Sequence, residues 1–163
     1  MAQRAPTIIE EWNDTHPRWE ELGSFIAAQG QTNWVNFKAD FHKSSHLLVA
    51  RQGDQMTGFL RYVIQEIGPD MDCLPVLLDG VPLTEAKVLA FAVDPAYRRQ
   101  GIGRALQEAL LDRARAAGCY QVRSHSGGSN EANHQLKLAM NFGVHPAVRG
   151  EDNRAVYFIM PLK

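Results

Sequence analysis

The stretch Leu89-Ala90-Phe91-Ala92-Val93-Asp94-Pro95-Ala96-Tyr97-Arg98-Arg99-Gln100-Gly101-Ile102-Gly103-Arg104-Ala105-Leu106 decides how the rest of the chain is read. It opens on a continuous apolar run, the pattern of a buried strand. Asp94-Pro95 stops that strand, because proline fixes φ and removes a backbone donor. From Ile102 the apolar residues Ile102, Ala105, Leu106, Ala109 and Leu110 recur at the spacing of one helix face. A basic, glycine-containing turn joins the two. The first N–H groups of a helix have no partner within it and lie at the positive end of its dipole. Gly101 and Gly103 carry no Cβ and let a ligand approach the main chain, while Arg98, Arg99 and Arg104 add positive charge. A diphosphate is the ligand that suits such a junction. The plainer alternative is a helix start that happens to carry glycines and arginines.

Arg98-Arg99-Gln100-Gly101-Ile102-Gly103, preceded by Val93-Asp94-Pro95, resembles the R/Q-x-x-G-x-G/A signature of the GNAT superfamily, the acetyl-CoA-dependent N-acetyltransferases. The resemblance implies an α/β (α+β) fold with a mixed, mostly antiparallel central sheet flanked by helices. It implies one acetyltransferase domain over residues 1–163. Acetyl-CoA is the implied cofactor. Its pyrophosphate would be held at Arg98, Arg99, Gln100, Gly101, Ile102, Gly103 and Arg104, and its pantetheine arm by the strand end Phe91-Ala92-Val93. The cofactor cleft is expected where the strands ending near Val93 and beginning near Cys119 diverge. Asn133 stands about one residue from the helix position where family members commonly place an asparagine against the cofactor. The likeness covers the order of elements from about His46 onward and is weaker before it.

The 163 residues suit one domain with a sizeable core, and the 45% hydrophobic content is ordinary for a globular protein. A formal net charge of −1 points to neither nucleic acid nor an anionic membrane. No apolar run is long enough to span a bilayer, and Met1-Ala2-Gln3-Arg4-Ala5-Pro6 lacks the core of a signal peptide. Cys73 and Cys119 have no CxxC spacing and read as free thiols of a cytoplasmic protein. No histidine pair has zinc spacing, so no metal is expected. The expected partner is a small-molecule or peptide amine; a homodimer is left open.

The order of elements follows from periodicity and punctuation. Thr7-Ile8-Ile9 reads as a short strand. Trp19, Leu22, Phe25 and Ile26 form a helical stripe ended by Gly30, and a second helix is expected from Asn33 to Lys43, its aromatics packing the core. Residues 46–52 and 55–67 read as strands around a Gly53-Asp54 turn, with Gly58 marking a bulge or a close backbone approach. A long loop follows from Gly68 to Pro82, with a piece of strand at Val76-Leu77-Leu78. Asp70, Asp72 and Asp79 read there as solvated charges, or else as an acidic edge to the acceptor pocket. The central strand runs from Thr84 to Val93 and the helix from Gly101 to Ala117, closed by Gly118. A strand at residues 119–124 completes a βαβ unit. A helix at residues 131–141, capped by Asn130 or Ser129, and a last strand at residues 155–162 follow.

The catalytic candidates are Glu85 and His125. Acetylation of an amine requires it neutral, so a base must take its proton. Glu85, Lys87, Leu89, Phe91 and Val93 share one face of the central strand. GNAT members often carry a glutamate near the position of Lys87, and Glu85 lies two residues earlier; its other reading is a strand-end charge. His125 follows the next strand and is the alternative base. The family commonly ends its last long helix with Tyr-x-x-x-Gly-Phe, whose tyrosine protonates the leaving thiolate. Here Ala139 or Met140 takes that place, so direct attack of amine on thioester is expected without that acid. Tyr120 is a substitute to consider, and a covalent acetyl-Cys119 route is disfavoured. The reading from another class is a non-catalytic acyl-CoA-binding or sensing domain.

Overall fold

The computed structural model describes residues 3–148 and 150–163. Its strands are β1 (Thr7–Trp12), β2 (His42–Gln52), β3 (Gln55–Glu66), β4 (Leu77–Leu78), β5 (Val81–Pro82), β6 (Thr84–Val93), β7 (Gln121–Ser126), β8 (Gly143–Pro146) and β9 (Val156–Pro161). Its helices are α1 (Trp19–Ala28), α2 (Thr32–Asn36), α3 (Ile102–Ala116) and α4 (Glu131–Ala139), with single 3-10 turns at Pro69–Met71 and Pro95–Tyr97. Seven strands hydrogen-bond in the order β1-β2-β3-β6-β7-β9-β8, and β4 and β5 form a separate hairpin. The pairs β1–β2, β7–β9 and β8–β9 are antiparallel and β6–β7 is parallel. A parallel pair needs a long crossover, and α3 supplies it. This is the mixed, mostly antiparallel sheet flanked by helices that the sequence led us to expect.

The chain divides into two units: residues up to 63 with 89–110, and residues 64–88 with 111–163. In the first unit the stripe of α1 does what its spacing requires. Leu22 and Ile26 are buried with Trp12, Leu47, Val49, Met56, Phe59 and Ala90, while Trp19, Phe25, Val35 and Ala92 pack against them. Gly58 marks a close approach: a Cβ there would lie 2.9 Å from the Ala92 carbonyl oxygen and 3.3 Å from Leu106 Cδ1. Any larger residue would have to displace the Ala92 carbonyl at the end of β6.

The second helix of this unit is shorter than its aromatics suggest. It ends at Asn36, and Phe37 is already extended at φ −61°, ψ 130°. The cause is Arg61, 3% exposed on β3. Its Nη1 donates to the carbonyls of Trp34 at 2.8 Å and Phe37 at 2.6 Å, and its Nε donates to Ser45 Oγ. A buried guanidinium needs those acceptors, and the chain turns out of the helix to supply them. Hence β2 begins at His42, and Trp34 and Phe37 stay 54% and 44% exposed instead of filling the core.

In the second unit, β7 pairs with β6 at Glu85↔Gln121 and Lys87↔Arg123, and with β9 at Arg123↔Ile159 and His125↔Tyr157. Beyond Tyr157, β8 adds His145 in the same row. One face of these strands is therefore polar. The residues of opposite parity, Ala86, Val88, Val122 and Phe158, are buried. The Asn130 side chain accepts from the Asn133 N–H and caps α4. Residues 68–82 are folded back on themselves: Ile67 N–H donates to the Leu83 carbonyl, Leu83 N–H to Val76, and Val76 N–H to Ile67. The hairpin β4–β5 at their tip leaves Leu77, Leu78 and Val81 exposed.

Candidate active site

The turn that opens α3 is built by its own residues. Asp94 accepts from the Ala96 N–H at 2.9 Å, and Asp94 N–H donates to the Thr57 carbonyl, which fastens the end of β6 to β3. Arg99 and Gly101 adopt positive φ, 62° and 78°. The Gly101 carbonyl accepts from the Ala105 N–H, the first bond of α3. The amides of Ile102, Gly103 and Arg104 thus have no acceptor within the helix. Ile102 is buried and anchors the turn, whereas Arg98, Arg99, Gly101 and Arg104 are exposed. Nothing lies within 4 Å of where a Gly101 Cβ would stand. Gln100 accepts from Gln52 Nε2 at 3.1 Å, and Arg104 pairs with Glu108 at 3.0 Å. Free amides, open space and the exposed Arg98, Arg99 and Arg104 fit the diphosphate of a nucleotide-type cofactor. Phe91, Ala92 and Val93 are half-buried at the end of β6.

The polar face of the second unit holds a buried charge network. Glu85 is 0% exposed. Its Oε1 accepts from Gln121 Nε2 and Arg123 Nε, each at 3.0 Å, and its Oε2 from Gln65 Nε2 at 3.0 Å and Arg123 Nη2 at 2.7 Å. Those four bonds occupy the carboxylate's full accepting capacity. The same Arg123 Nη2 donates to Asp70 Oδ2 at 2.5 Å, and Lys87 Nζ donates to that oxygen at 2.8 Å. Asp70 is therefore no solvated loop charge; its side chain is 3% exposed. Burial pushes its carboxyl upward, but Lys87 and Arg123 outweigh burial and hold it below the usual aspartate value. For Arg123, burial opposes the charge, and Glu85 with Asp70 more than restores it.

His125 stands at the edge of this network, exposed, with its ring edge-on to Tyr157 at 5.4 Å. Arg123 lies over the other side of that picture, 5.0 Å from the Tyr157 ring centre. Partial burial lowers the proton affinity of His125 below the ordinary imidazole value. The Lys87 cation adds to the effect, Asp152 opposes it, and Arg123 reinforces it. Asp152 itself accepts from the backbone N–H groups of Gly128 and Arg154 and fixes the turn after β7.

The other sequence candidates make their hydrogen bonds outside the network. Asn133, on α4, donates to Ser126 Oγ at 3.0 Å. Ala139 ends α4 and Met140 follows it, buried. Tyr120 precedes β7 and is tied through its backbone to Thr84 and Leu162. Cys119 is fully buried and its thiol is pushed up by that burial, which makes it a poor nucleophile. Among the described residues no cluster of histidine, cysteine or carboxylate side chains has the makings of a metal site. Arg123 was passed over by motif reading, and Asp70 was read there only as a solvated charge or an acidic edge to the acceptor pocket. The available signal was Arg123 standing at the same parity as the candidate His125 on one strand.

Comparison with known proteins agrees with this architecture. The profile of the Acetyltransferase (GNAT) family matches residues 5–150. The [Ribosomal protein bS18]-alanine N-acetyltransferase of Escherichia coli K12 is 33% identical over 89 residues, which is 50% of this chain and 60% of that protein. The match thus spans less than two thirds of the curated relative. Among solved structures, Arabidopsis thaliana NAA60 in complex with acetyl-CoA superposes with a TM-score of 0.72 at 16% identity, covering 96% of this chain and 99% of that one. The Escherichia coli ribosomal-protein-S18-alanine N-acetyltransferase superposes with a TM-score of 0.61 at 22% identity over 96% and 94% of the two chains. With the profile spanning nearly all its elements and the arginine–glycine turn at the head of α3, this chain belongs to the GNAT acetyltransferase family.

Proposed function

We propose that this protein is an N-acetyltransferase that moves an acetyl group from acetyl-CoA to a primary amine, by direct attack in a ternary complex. The observation that carries the reading is the turn at residues 98–104, with its unpaired helix amides, open Gly101 and exposed arginines in a chain of this family. Gly101, Ile102, Gly103 and Arg104 would hold the diphosphate through their amides, with Arg98, Arg99 and Gln100 beside them. Phe91, Ala92 and Val93 would line the pantetheine arm, and Asn133 is proposed as a further cofactor contact. Acetyl-CoA supplies a thioester whose thiol has a pKa near that of cysteine, about 8.5, so departure needs no dedicated acid on α4.

The proton of the amine is assigned to His125. Its ring is exposed, and the cations beside it favour the neutral imidazole, which is the form that accepts a proton. Glu85, saturated by four donors, is assigned the task of holding Arg123 and Gln121 in register. We read residues 1–163 as one such domain working in the cytoplasm, with Cys73 and Cys119 as free thiols. Because relatives are named as alanine N-acetyltransferases of a ribosomal protein, a peptide that begins with alanine is the first acceptor to try. Incubation with acetyl-CoA and a panel of peptides, amino acids and polyamines, following thiol release, tests the proposal. Turnover with one class supports it. Tight acetyl-CoA binding without turnover on any amine supports a sensing domain instead.

A further inference from the structure

The segment between β3 and β4 is shaped to deliver one side chain. Gly68 has φ 126°, and a Cβ there would lie 2.4 Å from the Leu74 carbonyl oxygen. Its own carbonyl accepts from the N–H groups of Met71 and Cys73, and Asp72 closes the turn in the left-handed region. This tight turn sends the Asp70 carboxylate inward among β6 and β7, while Asp72 and Cys73 stay exposed. A single oxygen, Oδ2, then receives both Lys87 Nζ and Arg123 Nη2. Lys87 and Arg123 face each other across the parallel pair, and His125 follows Arg123 on the same face.

We propose that Asp70 is a positioning residue for acetyl transfer: by holding both cations that border His125, it sets the electrostatic field in which that imidazole accepts a proton. The inference rests on the assignment of His125 as the proton acceptor. The groups around the ring divide by element. β6 presents Lys87, β7 presents Arg123, β9 presents Tyr157, and the turn before β9 presents Asp152; His145 on β8 lies beyond Tyr157. Counting formal charges, Glu85 and Asp70 balance Arg123 and Lys87. Without Asp70 the cluster beside His125 becomes net positive. A positive neighbour disfavours the imidazolium, so the ring would yield its proton at lower pH and become a weaker base.

The test follows the His125 ring resonance by NMR through a pH titration of the whole protein, with the signal assigned by loss in His125→Asn. In Asp70→Asn the midpoint should fall by about half a unit, the effect of one lost charge across a partly solvated face. Asp79→Asn, an exposed carboxylate on the β4–β5 turn, should leave it in place. Lys87→Met removes one of the cations and should move it upward, which keeps the proposal testable if Asp70→Asn does not fold. The acid limb of kcat/KM should follow the NMR midpoint in each variant. A folded Asp70→Asn protein with an unmoved His125 midpoint would overturn the proposal, as would an equal shift in Asp79→Asn. If the NMR midpoint moves and the acid limb does not, the coupling stands and the assignment of His125 as base fails.

Discussion

Replacement of Glu85 by Gln keeps the shape of the side chain and removes its charge, so it isolates what the carboxylate does. Arg123 is 4% exposed and gives Glu85 two of its hydrogen bonds, at 3.0 and 2.7 Å. A carboxamide can accept only on its oxygen, and its NH2 group would face the donors of Gln65, Gln121 or Arg123. Removing one partner of a buried ion pair costs about 3–5 kcal/mol, because the other charge is left uncompensated. Asp70 still neutralises part of Arg123 through Nη2, which puts the expected loss near the lower end, about 3 kcal/mol. For a chain of this length that corresponds to a fall in Tm of about 6–12 °C. Urea denaturation and a thermal melt read it directly. The double variant Glu85→Gln with Arg123→Met should recover most of the loss, since neither charge is then buried alone. A Glu85→Gln protein that melts within about a degree of the parent would refute the view that this pair holds β6 to β7.

Three further outcomes follow from the same geometry. His125→Asn should lower kcat/KM by about 10²–10⁴ and leave acetyl-CoA affinity nearly intact; in the parent, activity should persist below the ordinary imidazole midpoint of 6.5 and fall only at more acid pH. Gly103→Glu should fold, because a carboxylate in the first turn of α3 suits the helix dipole, yet lose at least about a hundredfold in coenzyme A affinity by calorimetry, because it repels the diphosphate. Lys137 is fully buried on α4 against the Phe142 ring, and burial takes its pKa from the ordinary 10.5 to about 7. Between those values the unfolded chain binds the extra proton, so stability should rise with pH across that window. Lys137→Met should flatten this dependence and raise stability at neutral pH by about 3–5 kcal/mol in denaturation curves.

The parts of the fold that were legible in the sequence are those set by local pattern. The alternation of the central strand, the stripe Ile102, Leu106 and Leu110, the Asp94-Pro95 stop and the cap at Asn130 all act within a few residues of themselves. Three features depend on contacts between distant residues. α2 stops short because Arg61, on β3, draws on the carbonyls of Trp34 and Phe37. β8, with Gly143 and Pro146 at its ends, exists because β9 offers it an edge, not because its composition favours a strand. Asp70 looked like one of three loop carboxylates, and only the pairing of β6 with β7 creates the two cations that bury it. The arginine–glycine turn was readable for the opposite reason: glycines, arginines and helix start are contiguous in the chain.

Transfer by direct attack is tested most directly by steady-state kinetics with both acetyl-CoA and an accepted amine varied. Intersecting double-reciprocal lines, with Cys119 unmodified in the mass spectrum, are the predicted result. Parallel lines together with an acetylated Cys119 would contradict it.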